Sequence, residues 1–547
     1  MKTPVRSLAG AISLAALVPS LLVPASLTGS AGANDREDPL PRVPPGFVVH
    51  PYAAIAGTPT SLDFGPGPGG DLRLYVADNT GGTILSIEDP GHTFAGLPPV
   101  TFASGFGGPL GVLVAADGTV FVADSEGPRA GPFGTRTYGR VWRVKDTTGD
   151  GVADVKEVVL KDLPNGRHNT NGMAFGPDGM LYVANGNSTD DGVLGGDPEV
   201  DPWSGAVVRV DPSATNVSLA DLVQKDTLVA TGMRNIYDVA FSPYDPTKLF
   251  IPMNGADDAG GGATAGLEDS DDLLYLTDMD DMRIVGYDED GEPILEPVID
   301  DFGFPSCFYN IARKGNLEPY DNPSPSVISQ FGPCPKETVP RPAGTFGLHV
   351  SADGMAFQTT DAWGPDYKND AFVAEFGNFF GDDVVGHRVV RVEMSPDGER
   401  VVRHSEFLTG PAPLDVTIAP DGSLYVADFG GMIYKVMKVA DVPREVTINI
   451  NAFHFTPSAL TIPEGTTIKW VNNETVLQIP HNITGDLYVK ADGTSEEGSE
   501  VNSANFGVGG SHSFRFETPG TFVYTCTFNP IHTAAMHGTI TVVPAGN

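Results

Sequence analysis

Apolar and polar positions alternate in short segments that recur along the chain between about residue 40 and residue 440. Each copy has one alternating strand, a turn with Asp-Gly or Pro-Asp, and a second strand that ends in a polar residue. Strand pairs joined in this way are typical of β-hairpins. The copies are SLDFGPGPGGDLRLYVADN from Ser61, GVLVAADGTVFVADS from Gly111, GMAFGPDGMLYVANGN from Gly172, DVAFSPYDPTKLFIPMNG from Asp238, GLHVSADGMAFQTTDAWGPDYKNDAFVAEFG from Gly347 and DVTIAPDGSLYVADFG from Asp415.

This repeat predicts the architecture of the larger part of the chain. Six copies at intervals of tens of residues, most followed by a third strand such as HRVVRVEM, predict a six-bladed β-propeller over residues 40–440. A helical solenoid is disfavoured because no segment shows sustained 3.6-residue periodicity. We expect residues 257–345 to form a blade interrupted by insertions.

The pattern changes after Val436, where the repeat stops. The remaining hundred residues carry short alternating strands and turn signals, as in VTININAFHFTPSALTIPEGTTIKWVNNE. A segment of this size and pattern is typical of a small Greek-key β-sandwich. The sequence therefore predicts an all-β chain, with a propeller over residues 40–440 and a sandwich over residues 445–547.

The N-terminus has the layout of a cleaved export signal over residues 1–33. A basic start, a stretch rich in Ala, Leu and Val, and a small-residue ending at Ala33 precede the charged NDRED. The alternative, a transmembrane anchor, is weaker because Pro19 and Pro24 interrupt the apolar stretch. We therefore expect a secreted or periplasmic protein without a membrane span.

The net charge limits the possible binding partners, and the cysteine content limits the possible disulfides. The formal charge of -37 argues against nucleic acid and anionic lipid, because both are bound by basic surfaces. Three cysteines in an oxidising compartment predict one disulfide and one remaining thiol. Cys307 and Cys334 bracket a Pro- and Asn-rich insertion and are the expected pair, which leaves Cys526.

Cys526 lies in YTCTFNPIHTAAMHG, six positions before His532 and ten before Met536, and His481 stands upstream in PHNITG. Two imidazoles, a thiolate and a thioether form the ligand set of a blue-copper centre. The alternative, a core role for these residues, requires four coincidences of type and spacing. His537 is expected to point away from Met536, because neighbouring positions of a strand face opposite sides.

The C-terminal segment resembles the cupredoxins, and its ligand loop is more similar to that of azurin than to that of plastocyanin. The loop between Cys526 and His532 is one residue longer than in azurin. The resemblance implies a type 1 copper site that passes electrons to a soluble redox partner. It also implies that Asn482 and Thr527 tie the two ligand loops together. The implied copper ligands are His481, Cys526, His532 and Met536.

A second candidate metal site is the loop DTTGDGVADVKE. Its oxygen-bearing residues follow nearly the spacing of a calcium-binding EF-hand loop, with Gly151 at the sixth position. The flanking segments read as strands instead of helices, so a solvated acidic turn is an equally open interpretation. The candidate calcium ligands are Asp146, Thr148, Asp150, Asp154 and Glu157.

The segments RHNTNGMAFGPDGMLYVANGN, GMRNIYDVAFSP, NGADD, EDSDDLLYL and DDFGFPSC resemble the glucose/sorbosone dehydrogenase family of quinoproteins. The resemblance implies a six-bladed propeller that holds pyrroloquinoline quinone (PQQ) and calcium at its axis. It assigns His168 as general base, and it assigns contacts with the cofactor to Asn169, Arg234, Asn235 and His349. This chain departs from the family at Ala412 and Pro413, where many members carry an arginine.

Together these features predict an exported redox protein. PQQ-dependent oxidation of a sugar or other alcohol would occur at the propeller axis, and electrons would pass to copper in the C-terminal domain. One alternative stays open. In it, His168 only bonds a neighbouring carbonyl, and the propeller is a binding or scaffold module that carries a copper electron-transfer domain.

Overall fold

The computed structural model describes residues 41–89, 96–131, 134–190, 192–194, 197–201, 203–225, 227–256, 270–287, 292–322, 324–378, 385–474 and 478–544. The predicted export signal lies outside these residues, as does segment 257–269, which includes parts of the NGADD and EDSDDLLYL motifs. Within the described ranges, no helix has the length and apolar character needed to cross a membrane. The all-β prediction is confirmed.

The described chain begins with a strand whose sheet is completed only several hundred residues later. This strand is β1 (Phe47–Ala54). The next sheet contains β2 (Pro59–Pro66), β3 (Leu72–Asp78), β4 (Thr83–Glu88) and β5 (Val100–Ser104). It is followed by a sheet of β6 (Gly111–Val114), β7 (Val120–Gly131), β8 (Gly134–Lys145) and β9 (Val155–Pro164).

The middle of the repeat region carries larger sheets with insertions. The next strands and helix are β10 (Thr170–Phe175), β11 (Leu181–Asn185), the small hairpin β12 (Val193–Leu194) and β13 (Asp197–Pro198), β14 (Ala206–Val210), β15 (Val217–Ser218), which joins β9, α1 (Leu219–Lys225) and β16 (Leu228–Thr231). The fourth sheet contains β17 (Asn235–Ile236), β18 (Ala240–Phe241), β19 (Lys248–Asn254), β20 (Asp271–Asp278) and, after the insertion, β26 (Gly344–Leu348).

The predicted insertion holds short elements and the disulfide. They are the hairpin β21 (Met282–Tyr287) and β22 (Pro293–Pro297), β23 (Asp300–Asp301), which joins β16, β24 (Cys307–Phe308), α2 (Ile311–Lys314), β25 (Tyr320–Asp321) and α3 (Pro325–Phe331). Cys307 and Cys334 are disulfide-bonded, and Cys526 is a free, buried cysteine. The predicted pairing is therefore present in the structure.

Two further sheets complete the repeat region. One contains β27 (Ala352–Phe357), β28 (Ala371–Glu375), β29 (Arg388–Met394) and β30 (Val401–Thr409), and the other contains β31 (Pro413–Ile418), β32 (Leu424–Asp428) and β33 (Met432–Lys438) with β1. Their Asp-Gly turns have the left-handed glycines that tight hairpins require, for example Gly398 at φ 72° and Gly422 at φ 86°. Second strands such as β11 and β28 are buried at every position because neighbouring sheets cover both faces.

The innermost strands are linked from sheet to sheet around an axis. The Val114 backbone N–H donates to Asp63 at 2.6 Å, and the Met355 N–H donates to Asp238 at 2.9 Å. The Leu62 N–H donates to Asp415 at 2.7 Å, which joins the first complete sheet to the last. The sheets therefore close on one another, as in a β-propeller.

The C-terminal residues form two packed sheets. One contains β34 (Glu445–Asn451), β35 (His454–Thr456), β37 (Thr466–Asn472) and β40 (Ser511–Phe516). The other contains β36 (Ala459–Pro463), β38 (Thr484–Lys490), β39 (Ser495–Glu496), β41 (Gly520–Thr525) and β42 (His537–Val543), and α4 (Pro530–Ala535) lies between the last two strands. Buried and exposed positions alternate along β34, which places Ile448 and Ile450 in the sandwich core.

The propeller sheets and the sandwich share apolar contacts. Val48 of β1 and Met437 of β33 belong to the same buried cluster as Leu460 and Ile462 of β36. The Thr461 backbone N–H also lies 3.5 Å from Nδ1 of the buried His50. β1 therefore completes a propeller sheet on one side and contacts the sandwich on the other.

Candidate functional sites

His168 lies just before β10 and is buried. Its Nδ1 is 2.8 Å from the carbonyl oxygen of Asn187. A carbonyl only accepts, so Nδ1 carries the proton and Nε2 keeps its lone pair. Burial, reinforced by the nearby charge of Arg234, lowers the pKa of His168 to about 3. The imidazole is therefore neutral at ordinary pH.

Asn169 and Asn235 lie close to His168 because Gly186 leaves room for them. A Cβ at Gly186 would meet Cβ of His168 at 2.6 Å and Oδ1 of Asn235 at 3.2 Å. Asn169 accepts a hydrogen bond from the hydroxyl of Ser125 at 3.2 Å. The structure thus brings these three predicted residues together at the start of neighbouring sheets.

Arg234 is buried beside this group but already has partners. Its Nη2 forms an ion pair with Asp190, its Nε donates to the Asp190 carbonyl at 2.8 Å, and its Nη1 donates to the Asn254 carbonyl at 3.1 Å. Burial opposes ionisation of Asp190, but the charge of Arg234 holds the pKa of that carboxyl below its usual value. Two buried polar atoms nearby, Ser188 Oγ and Asn254 Oδ1, have no hydrogen-bond partner within the described ranges.

His349 precedes β27 in a left-handed backbone conformation, with φ 59°. Asp272 lies near both Arg234 and His349, because both side chains act to lower the pKa of its carboxyl. Asp272 accepts hydrogen bonds from the backbone N–H groups of Gly255 at 2.6 Å and Ser351 at 2.8 Å. Burial nevertheless raises the pKa of Asp272 to about 7.

Carboxylates also line the axis itself. A cavity of about 120 Å³ lies between the innermost strands and is bordered by Asp63, Asp238 and Asp415. Burial raises the pKa of Asp63 to about 7, although two backbone N–H groups oppose the shift. Burial also raises the pKa of Asp238 and Asp415. These residues were not predicted from the sequence, because an Asp inside a strand pattern carries no spacing signal.

The acidic loop between β8 and β9 is a hairpin turn in the structure. Its side chains with oxygen atoms are those of Asp146, Thr148, Asp150, Asp154 and Glu157. The first and third residues of this set, both carboxylates, accept backbone N–H groups of the turn. The fourth accepts from Thr147, and the last pairs with Arg143 at 2.5 Å. Calcium binding by this loop stays a prediction.

The C-terminal site is built mainly on one loop. Cys526 directly follows β41, and α4 begins four residues later at Pro530, with Asn529 as N-cap. The Asn529 side chain accepts the backbone N–H groups of Ile531 at 2.9 Å and His532 at 3.1 Å. Met536 ends the helix, and its carbonyl accepts from the Cys526 N–H at 3.3 Å. The cap and this closing bond fix the positions of Cys526, His532 and Met536 along the chain.

Three ligand atoms converge in this site. Cys526 Sγ lies 3.6 Å from Nδ1 of His481 and 3.3 Å from Nδ1 of His532. Within the described ranges, this is the one group of three or more His, Cys, Asp or Glu residues whose ligand atoms lie close together. A tetrahedral metal with bonds of about 2.0 Å to nitrogen and about 2.3 Å to sulfur separates such atoms by about 3.5 Å. The three side chains therefore fit a single metal ion.

Burial favours the neutral form of the two imidazoles, which is the form that binds a metal. It lowers the pKa of both His481 and His532, so both rings are neutral at neutral pH. Met536 is fully buried, whereas its neighbour His537 is exposed, as expected from strand alternation. This donor set of two imidazoles, one thiol and a nearby thioether suits copper.

Asn482 and Thr527 connect the two ligand loops as the sequence predicts. The Thr527 backbone N–H donates to Asn482 Oδ1 at 2.8 Å, and Asn482 Nδ2 donates to the Thr527 hydroxyl at 3.2 Å. The Asn482 backbone N–H lies 3.5 Å from Cys526 Sγ. The loop that carries His481 is thereby held against the loop that carries Cys526.

A family model described as copper binding proteins of the plastocyanin/azurin family matches residues 442–543. Plastocyanin from Scenedesmus fuscus is 37% identical over 102 residues, which are 19% of this chain and 99% of that plastocyanin. Through its C-terminal domain, the chain belongs to the plastocyanin/azurin family. The two sheets, the ligand loop and the bonds between Asn482 and Thr527 are thus those of a plastocyanin/azurin domain.

The propeller is similar to solved structures at the level of the fold. The calcium structure of a Trichoderma reesei protein of carbohydrate-active enzyme family AA12 is 16% identical, with a TM-score of 0.54, and covers 73% of this chain and 97% of that chain. The holo PQQ domain of pyranose dehydrogenase from Coprinopsis cinerea is 14% identical, with the same TM-score and the same coverage. A family model of unknown function, DUF7133, also matches residues 101–232.

Several residues that the structure places in these sites were not predicted from the sequence. In the plastocyanin/azurin domain, the buried carboxylate of Glu474 lies 3.3 Å from Nε2 of His481. In the propeller, Asp190 forms an ion pair with Arg234, and Asp272 lies near enough to Arg234 for its pKa to be affected. Glu474 stands seven positions before His481 in NNETVLQIPHN. It is the one acidic residue of this segment, and this is the feature of the sequence that could have marked it. Asp190 and Asp272 have no comparable signal.

Proposed function

We propose that this protein is an exported oxidoreductase that oxidises a sugar or another alcohol at the propeller axis and passes the electrons to a type 1 copper centre. The convergence of His481, Cys526 and His532 in a plastocyanin/azurin domain, joined to a propeller with the fold of a PQQ domain, carries the proposal. Both parts are redox modules, and their covalent connection raises the effective concentration of one at the other.

The chemical types of side chain in the propeller site are suited to binding PQQ. A guanidinium is matched to carboxylate and quinone oxygens, and the unpaired Ser188 Oγ and Asn254 Oδ1 leave buried polar atoms for a polar ligand. Arg234, Asn235 and Asn169 would hold the cofactor together with His349. When bound, PQQ supplies the hydride acceptor for the oxidation.

In this function, Nε2 of His168 removes the hydroxyl proton of the substrate. The hydrogen bond from Nδ1 to the Asn187 carbonyl fixes the tautomer and the orientation of the ring, and burial keeps the ring neutral. The oxidation releases two electrons. At the other site, His481, Cys526, His532 and Met536 would hold copper, which carries electrons one at a time to a soluble redox partner.

One observation favours the alternative of a non-catalytic propeller. Arg234 already has an anionic partner in Asp190 and a carbonyl partner in Asn254, so its guanidinium is neutralised within the chain. A scaffold propeller would carry the copper domain without binding PQQ.

Reconstitution of the purified protein distinguishes the two functions. Copper content and the visible spectrum are measured first, followed by PQQ binding in the presence of calcium, by calorimetry. Anaerobic addition of aldoses should then bleach the blue band in the PQQ-loaded protein and leave it unchanged in protein without PQQ. A blue protein that binds no PQQ supports the scaffold function, and a protein without a blue copper site contradicts the copper assignment.

A further inference from the structure

Glu474 is a fully buried carboxylate behind one of the candidate copper ligands. Its Oε1 lies 3.3 Å from Nε2 of His481, while Nδ1 of the same ring lies 3.6 Å from Cys526 Sγ. A carboxylate accepts, so Nε2 carries the proton and Nδ1 is left with a lone pair that faces the sulfur. The contact therefore selects the tautomer and orientation of His481 that metal binding requires.

The backbone around Glu474 holds the side chain in place. Its N–H donates to Asn472 Oδ1 at 3.1 Å, and its carbonyl accepts from the Gln478 side chain at 3.3 Å. The Phe453 backbone N–H approaches Oε1 at 3.4 Å. Glu474 is thus anchored from the loop on which it lies and from the neighbouring loop between β34 and β35.

The charge of Glu474 has few partners in the structure. Its second oxygen, Oε2, is buried and has no hydrogen bond within the described ranges. Among the described side chains, His481 is the one basic group within 4.0 Å of the carboxylate. An isolated buried carboxylate is costly, so its negative charge requires a positive charge close by.

We propose that Glu474 is a positioning residue of the copper centre, which orients His481 through Nε2 and lowers the reduction potential of the bound copper. The inference rests on the copper site of the proposed function and extends it. Carboxylates that accept from the distal nitrogen of a metal-bound histidine fix the ring and increase its donor strength. No such contact is present at His532, whose Nε2 is buried without a hydrogen-bond partner in the described structure.

The direction of the effect follows from the charges. Cu(II) contributes two positive charges, which the thiolate of Cys526 and the carboxylate of Glu474 balance. Reduction by one electron leaves Cu(I) with the same two anions, and the buried site then carries one net negative charge. Charge is poorly solvated in a buried site, so Glu474 stabilises Cu(II) relative to Cu(I).

The test is the substitution Glu474→Gln, which keeps the side-chain length and an oxygen acceptor and removes the charge. The matched control is Glu497→Gln, which removes one charge from an exposed position of the same domain. We expect the Glu474→Gln protein to remain blue, because its four ligands are intact. Its Cu(II) affinity should fall by about 10- to 100-fold. Its Cu(I) affinity should fall less, and every tenfold difference between the two raises the potential by about 59 mV.

An unchanged or lowered potential in a blue Glu474→Gln protein overturns the inference, as does an equal shift in Glu497→Gln. Because loss of the carboxylate could also prevent folding, a second measurement uses the wild-type protein. In its Cu(I) form, ¹H–¹⁵N spectra should show a slowly exchanging proton on Nε2 of His481, and copper bound to Nε2 overturns the inference. A wild-type protein without blue copper contradicts the proposed function itself, so the two failures are distinguishable.

Discussion

The two candidate sites differ in how they are assembled. In the C-terminal domain, Cys526, His532 and Met536 lie on one loop within eleven residues, and one bonded pair of residues attaches the loop that carries His481. In the propeller, His168, Arg234 and His349 come from three successive sheets and span more than 180 positions of the sequence. The first site is local in sequence, and the second depends on how whole sheets pack.

The electrostatics of the sites differ in the same way. The candidate ligands of the C-terminal site face one another, and their imidazole rings are neutral. The charged side chains of the propeller site already have partners within the chain, because Arg234 pairs with Asp190 and Asp272 accepts two backbone N–H groups. The copper assignment therefore depends on few residues, whereas the proposed activity of the propeller would depend on a larger network.

The largest expected effect is at Cys526. Cys526→Ser removes the soft thiolate, so the intense visible band of the copper protein should disappear completely and copper affinity should fall. Absorption and paramagnetic resonance spectra check this outcome. Met536→Leu is the matched comparison: because the axial bond is long and weak, the protein should stay blue and its reduction potential should rise. A Cys526→Ser protein that stays blue would contradict the assignment of Cys526 to the copper site, and with it the contrast between the two sites.

His168→Gln tests the propeller site. If Nε2 is the base, turnover of the PQQ-loaded enzyme with an artificial acceptor should fall about a hundredfold or more, while thermal stability stays near that of the wild type. His404→Gln, on the exposed outer strand β30, is the control and should retain full turnover. Unchanged turnover in His168→Gln would remove this residue from the mechanism and favour a structural role.

The smallest expected effect concerns Asp63 at the axis. Burial raises its pKa from 3.8 to about 7, so the folded protein holds this proton to higher pH than the unfolded chain does. Its contribution to stability is complete below about pH 4 and is lost as the pH rises through 7. The wild-type protein should therefore lose thermal stability between about pH 4 and pH 7, and Asp63→Asn should lose less.

The control for the axial carboxylate is Asp366→Asn, at an exposed position of the propeller. It should show the pH slope of the wild type. The absolute melting temperature of Asp63→Asn should be lower at pH 5, because the two N–H groups donate to different oxygens of Asp63 and asparagine has only one side-chain oxygen. Equal slopes in wild type and Asp63→Asn would show that Asp63 does not titrate in this range.

The sequence predicts local features well, because the alternation of apolar and polar positions and the Asp-Gly turns each depend on a few consecutive residues. The hairpins, the sandwich strands, the disulfide pair and the loop of Cys526 are of this kind. The contacts of Asp190 with Arg234, and of Glu474 with His481, form only when separate segments pack together. Their sequence positions carry no periodic or spacing signal, and they become evident only in three dimensions.

The position of β1 has a consequence for the synthesis of the protein. Its partner β33 is separated from it by almost all of the propeller sequence. At ordinary rates of translation, β1 therefore has no partner strand for tens of seconds. Ring closure is therefore a late step of high contact order, and until then the strands at both ends of the ring have open edges. Because β1 also contacts β36, the strand that closes the ring is also one to which the C-terminal domain attaches.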